Sequence, residues 1–419
     1  MERVRPSNQT RLVGIEGLRA LAAAAVVVNH AGSAASRPGS YDSGPLAAIT
    51  DPFAAGVVLF FVLSGFLLYR PYASAIVREE PLPSFRRYYR NRALRILPAY
   101  WVILAATAFV LQAAVIGYQP HQYATGITRD LRMFVNDFLL MQNYSPRTLW
   151  TGITPTWSLA IEVVFYVTLP LIVLSAVLVD RRLARRGLRR WAILAPVVLM
   201  VAIGVGGKVA TAFLFGGRTS MSTSWHAVMQ FSFLGYADVF AWGMLVAVVK
   251  ILHDEGMVGL PGKRSRLYGE GAILLAFLAL ALLLPSGARE WTGLVVPLPF
   301  ALLLAFVVLP ERTEARRPLG LRFLETRPVI ACGVVSYSIF LWNQPLLFWM
   351  REHGLISYGP GGFMATLALL AVLCGTLSAL TYRYVELPAL RLKSAALVTA
   401  RARLGRAVPS TRLFRRFPA

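Results

Sequence analysis

Apolar residues in this chain come in long runs separated by short polar segments, and ten of the runs approach the roughly 20 residues a helix needs to cross a bilayer core. They lie near 12–32, 52–70, 97–117, 156–179, 191–206, 228–250, 270–285, 292–310, 329–350 and 362–384. The fifth and seventh are short, and the fourth is interrupted by Glu162. In lipid every backbone N–H and C=O has to be satisfied inside the protein, so a helix is the element expected in each run. The pattern predicts an all-α integral membrane protein of about ten transmembrane helices. The first run has the basic flank of a secretory signal, but Glu16 and Arg19 interrupt its apolar core, which marks it as a retained span.

The distribution of charge adds an orientation. With Arg19 counted as intramembrane, the segments on one side of this ten-span assignment carry 34 Lys and Arg, and those on the other carry 8. Positive charge gathers on the cytoplasmic side, so both termini are expected in the cytoplasm. A miscounted span would scramble that asymmetry. The net charge of +23 therefore reflects topology, and no nucleic-acid partner is expected, because the basic blocks lack interleaved aromatic residues. A chain with 56% hydrophobic and 15% charged residues is too apolar for a soluble protein of 419 residues, and its solvent is the lipid bilayer. Residues 1–390 read as one polytopic domain with short loops. The exception is 118–155, where 130–140 has amphipathic helical spacing and is expected to lie at the outer interface. The basic stretch 391–419, with Pro409 and Pro418, reads as a cytoplasmic tail, disordered or held on the anionic inner leaflet. Cys332 and Cys374 fall in apolar runs without metal-ligand spacing and read as small buried hydrophobes, and no metal site is expected.

A charge inside a span costs at least ~2.5 kcal/mol, so each one calls for a reason. In the first span Glu16, Arg19 and His30 share one helical face, and Arg19 and His30 are about 16 Å apart along the axis. The fourth span opens with Trp157 and Ser158 and carries Glu162 one turn deeper and Tyr166 one turn beyond, so Glu162 is expected at the depth of His30, orienting its imidazole. Asp238, midway along the sixth span, is either a third member of this centre or a packing residue. Before the third span, five arginines fall in ten residues, and Arg92 and Arg95 share a helical face suited to gripping phosphates. Lipid headgroups are the competing partner for that cluster. Arg383 and Glu386 stand at the end of the last span, beside the helix-ending Pro388. Ser64, flanked by Gly65, reads mainly as a packing and channel-lining position, since no base adjoins it in sequence.

Together these segments resemble acyltransferase family 3, the bacterial membrane O-acyltransferases. The resemblance runs from Gly14 to Arg391 through four ordered motifs: Ile15-Glu16-Gly17-Leu18-Arg19-Ala20 with His30, Phe60 to Phe66 around Ser64, Arg92 to Pro98, and Trp157-Ser158-Leu159 with Glu162 and Tyr166. The ninth span, Ser336 to Pro345, also matches, with Asn343 standing where family members commonly carry histidine. The resemblance implies a cytoplasmic acyl-CoA donor, acetyl-CoA by default, and an acceptor hydroxyl on a cell-envelope glycan or a glycosylated small molecule such as a macrolide. On that reading Arg19, Arg92, Arg95 and Arg383 hold the donor, His30 is the general base or the acyl-bearing nucleophile, and Glu162 orients it. Glu16, Ser64, Trp157, Ser158, Tyr166, Asp238 and Asn343 line or support the site. The competing class is a proton-coupled transporter or exporter, with the same buried groups forming an ion pathway.

Overall fold

The computed structural model describes residues 14–36, 45–119, 122–183, 189–215, 224–259, 293–309 and 319–392. In chain order its elements are α1 (Ile15–Ala35), α2 (Pro45–Thr50), α3 (Gly56–Val77), α4 (Phe85–Ala105), β1 (Ala114–Gln119), β2 (Gln122–Gly126), α5 (Leu131–Phe138), α6 (Thr156–Leu183), α7 (Ala195–Phe215), α8 (Trp225–Gln230), α9 (Phe233–Asp254), α10 (Pro297–Val308), α11 (Leu319–Leu324), α12 (Arg327–Glu352) and α13 (Gly359–Thr381). Among the described residues eight helices are long and apolar enough to cross a membrane, and α10 belongs to a shorter apolar helix, Gly293–Val308. The protein is an all-α integral membrane protein. The span expected at 270–285 and the tail from 393 lie outside the described residues.

Helix boundaries depart from the apolar runs where charge is drawn into the bundle. The third span begins at Phe85 rather than near 97, so the arginine run is the first half of α4 and not a loop. The fifth continues to Phe215, well past 206, and takes Lys208 inside. The last does not stop at Pro388: a π-helical turn at Tyr382–Glu386 follows α13, and helix continues to Leu392. A π-turn breaks the regular i→i−4 ladder just before the proline, and such turns recur at functional sites.

Small residues let the helices meet backbone to backbone. A Cβ on Gly65 would lie 2.1 Å from the Phe240 carbonyl oxygen, and one on Gly243 would lie 1.8 Å from that of Val62, so α3 and α9 touch at two levels. Gly333 gives α12 the same access to the Glu16 carbonyl of α1, with a Cβ distance of 1.9 Å. Van der Waals contact between close backbones drives helix association in lipid, where apolar burial alone gives no preference. With Gly65 turned to α9, Ser64 is rotated by about 100° toward another neighbour, α6.

Between α4 and α6 the chain builds a small cap. β1 and β2 form an antiparallel hairpin, and α5 is capped by Asp130, whose side chain accepts from the backbone N–H of Arg132 and Met133. The amphipathic helix expected at 130–140 is present as α5; the hairpin was not foreseen. The buried Asp137 carboxylate accepts from the Thr151 hydroxyl at 2.7 Å, and its backbone carbonyl accepts from the phenol of Tyr100. Gly152, at φ +68°, sits against the same carboxylate, where a Cβ would lie 2.8 Å from it. The cap marks one end of the bundle, the hairpin end. The first turns of α4 mark the arginine end.

Candidate active site

Two polar layers lie along the bundle axis. The deeper one is built on α3, α4, α6, α12 and the π-turn after α13. Ser64 donates its hydroxyl to Glu162 across the α3–α6 contact, so the base missing from its sequence neighbourhood arrives from another helix. Tyr166, one turn on from Glu162, lies under the Arg92 guanidinium at 5.9 Å from the ring centroid. Charge interactions tie Arg19 to Glu162, Tyr166 and Glu386 and set it against Arg95. Arg95 is held by a 2.8 Å ion pair to the buried Glu386, which also accepts from Ser338 at 2.6 Å. The Arg95 guanidinium lies 5.9 Å from the centroid of the Tyr337 ring, and the Tyr337 hydroxyl donates to the Ile96 carbonyl.

The second layer lies toward the hairpin end, about 8 Å further along α12 and about 16 Å from Arg19 along α1. Here His30 Nδ1 meets Asn343 Oδ1 at 2.5 Å. Asn343 Nδ2 donates to the Ile339 and Phe340 carbonyls at 3.0 and 2.7 Å, which identifies the atom facing the imidazole as oxygen. An amide oxygen only accepts, so neutral His30 carries its proton on Nδ1, and Nε2, without a partner among the described residues, is left as the base. Both His30 and Arg19 keep some accessible surface, so neither is sealed off by the side chains around it.

The imidazole is thus oriented by Asn343 and not by Glu162. Pattern alone placed the two at one depth, but α6 packs on α3 and hands the carboxylate to Ser64 and the arginine layer. Asp238 likewise leaves the centre: on α9 it pairs with Lys208 of α7 at 2.5 Å, backed by Gly204. Ser158 donates to the Pro155 carbonyl at the start of α6, and Trp157 packs on Phe231 and Tyr236. Arg383 is exposed and stacks on Tyr384 at 5.7 Å, outside the Arg95–Glu386 pair. The Glu16 backbone forms the α1 surface that Gly333 packs on. The sequence reading missed Lys208, counted as a loop residue, and the joint role of Ser338, Tyr337 and Glu386. The quoted motifs held the last three, but nothing in their spacing paired them with Arg95.

Comparison with known proteins decides the lineage. A family model described as "Acyltransferase domain" matches residues 12–382. The chain belongs to this acyltransferase family. Among curated relatives, it is 24% identical over 392 residues to "O-acetyltransferase OatA" of Staphylococcus aureus (strain NCTC 8325 / PS 47), covering 90% of this chain and 57% of that protein. It is 26% identical over 351 residues to "Exopolysaccharide production protein ExoZ" of Rhizobium meliloti (strain 1021), covering 83% and 92% respectively. The chain thus spans little more than half the length of its OatA relative. No solved structure matches it. Membership in the acyltransferase family fits the two layers: a cationic one suited to anionic groups, and an imidazole with one nitrogen fixed and the other open.

Proposed function

We propose that this chain is a membrane O-acyltransferase of the bacterial cytoplasmic membrane, moving an acyl group, acetyl by default, from cytoplasmic acyl-CoA to a hydroxyl of a cell-envelope glycan. The observation that carries it is the His30–Asn343 pair, which keeps Nδ1 protonated and leaves Nε2 to accept a proton. The relatives named for O-acetylation and exopolysaccharide production support the reaction type and the acceptor class.

In this reading the arginine end and both termini face the cytoplasm, following the excess of basic residues there. The donor's phosphates meet Arg19 and Arg92, whose charges Glu162 and Tyr166 moderate. Arg95, already paired with Glu386, anchors α4 to the π-turn and acts as a positioning residue. The pantetheine arm covers the distance from the arginine layer to His30. The acceptor hydroxyl loses its proton to Nε2 as its oxygen attacks the thioester carbonyl. The tetrahedral intermediate expels the CoA thiolate, and the imidazolium returns the proton to that sulfur, leaving an ester on the glycan and free CoA.

Membranes containing the protein are expected to transfer label from [14C]acetyl-CoA to envelope glycan. His30→Ala lowers that rate by roughly 10²–10⁴-fold while the protein still elutes as a folded species. Full activity in this variant overturns the mechanism.

A further inference from the structure

A groove of about 460 Å³ lies at the flank of the cap, outside both polar layers, lined by Gln112, Ile116, Ile127, Arg129, Asp130 and Met133. It stands on a different side of the hairpin from the reaction centre: Ala113 and Val115 pack with Phe348 of α12, while Gln112 and Ile116 line the groove. The chain enters it through a strained turn. Gln112 has φ +53°, in the left-handed region that a residue with a Cβ rarely adopts, and follows a π-helical turn at Ala106–Val110. The turn is held from the next residue: the Ala113 backbone N–H donates to the Thr107 carbonyl at 3.0 Å, and Ala113 is buried. Strain of this kind persists where the surroundings fix it, and it recurs at ligand clamps.

The groove carries one accessible cation and one accessible anion. Arg129 is exposed and has no ion-pair partner among the described residues. Asp130, also exposed, spends Oδ1 on the backbone N–H groups of Arg132 and Met133, which leaves Oδ2 available. The exposed Ile116 and Ile127, with Met133, supply an aliphatic surface beside them. Next to the groove the protein has the surface of a helix lying in lipid. Leu131, Val135 and Leu139 form an exposed row along α5 at helical spacing, and Phe109 and Val110 are exposed at the end of the α4 span, where the Phe109 ring stands 5.4 Å from that of Phe134. A zwitterionic phospholipid fits that setting. Its phosphate suits the planar fork of Arg129, its ammonium can donate to Asp130 Oδ2, and the Gln112 amide is placed to donate to an ester oxygen. An anionic headgroup would be repelled by Asp130, and a trimethylammonium headgroup has no N–H to give the carboxylate. A sugar would find no aromatic ring in the groove to stack on.

We propose that this groove binds the headgroup of a phosphatidylethanolamine from the leaflet at the hairpin end and so holds the cap against the bilayer. The phosphate sits on Arg129, the ammonium on Asp130, and the glycerol and first methylenes on Ile116, Ile127 and Met133. The site is separate from the acyl-transfer centre and stands whether or not that reading does.

The test uses the full chain in phosphatidylcholine nanodiscs into which phosphatidylethanolamine or phosphatidylglycerol is titrated. Native mass spectrometry counts the lipids that stay bound, and hydrogen exchange is followed at residues 112–116 and 127–133. The parent is expected to retain phosphatidylethanolamine over both other lipids, with exchange in those two segments slowed as that lipid is added. Arg129→Gln removes the cation at an exposed position, and Asp130→Asn removes the charge while an asparagine still caps α5. Each is expected to weaken phosphatidylethanolamine retention by about two- to five-fold, the worth of an exposed ion pair, with exchange in the α12 span unchanged. Parent-like retention in both variants overturns the site, as does a parent that keeps phosphatidylcholine or phosphatidylglycerol equally well. Slowed exchange in the same segments on adding a soluble neutral exopolysaccharide, without phosphatidylethanolamine, overturns the lipid in favour of a sugar.

Discussion

At the scale of single residues, the decisive feature is that the two groups marked as catalytic occupy different layers. His30 has an amide partner, which fixes a tautomer without adding charge, whereas Glu162 is committed to Ser64 and the arginines. Asn343→Leu keeps the volume roughly constant and leaves Nδ1–H unpaired. We expect kcat to fall by about ten-fold, the cost of one buried unsatisfied donor, with the KM for acetyl-CoA unchanged, as read by steady-state kinetics in membranes. Glu162→Gln, by contrast, should lower the KM for acetyl-CoA, since it removes a negative charge that offsets Arg19 and repels the donor's phosphates. These opposite splits separate the two layers experimentally. His30, Arg19, Arg92, Ser64 and Glu162 were all legible in the sequence as polar residues in apolar or arginine-rich runs. Their pairing was not, because the partners of Ser64 and His30 stand 98 and 313 residues away.

At the scale of elements, the cap over the bundle depends on one buried acid. Burial pushes the Asp137 carboxyl up to about 7, against the opposing pull of the Thr151 hydroxyl. An unfolded aspartate titrates near ~3.9. The folded cap therefore holds its proton more tightly than the unfolded chain does, so its stability is full below about pH 4 and declines as pH rises toward and through 7. Hydrogen exchange of residues 137–156 should accelerate across that window in the parent and become pH-independent, after correction for intrinsic rates, in Asp137→Asn. The helix of this cap was readable from its amphipathic spacing. The hairpin was not, since Val115 pairs with both Thr125 and the distant Gly152.

At the scale of the whole molecule, the helices are held by backbone contact at glycines and by ion pairs between spans. Lys208 and Asp238 join α7 to α9, and Lys208 also reaches the Gly293 carbonyl at 3.4 Å at the start of the α10 segment. Removing one member leaves an uncompensated charge in the bundle, which costs about 3–5 kcal/mol. Asp238→Asn should thus lower the melting temperature in detergent sharply, and adding Lys208→Met should restore most of the loss. If the double variant melts no higher than the single one, the pair is not what couples the two helices. Asn is the appropriate replacement, as the close approach of Gly204 leaves no room for a bulkier side chain.

The sequence by itself determined that this is a helical membrane protein, roughly where it crosses, and which polar residues are anomalous there. It could do so because the bilayer forces every backbone group to be satisfied locally and leaves charges conspicuous. Only the tertiary structure decided which of those residues meet. Contacts between helices depend on tilt, rotation and close approach at glycines such as Gly65 and Gly333, and these are properties of packed pairs of helices that no single segment encodes.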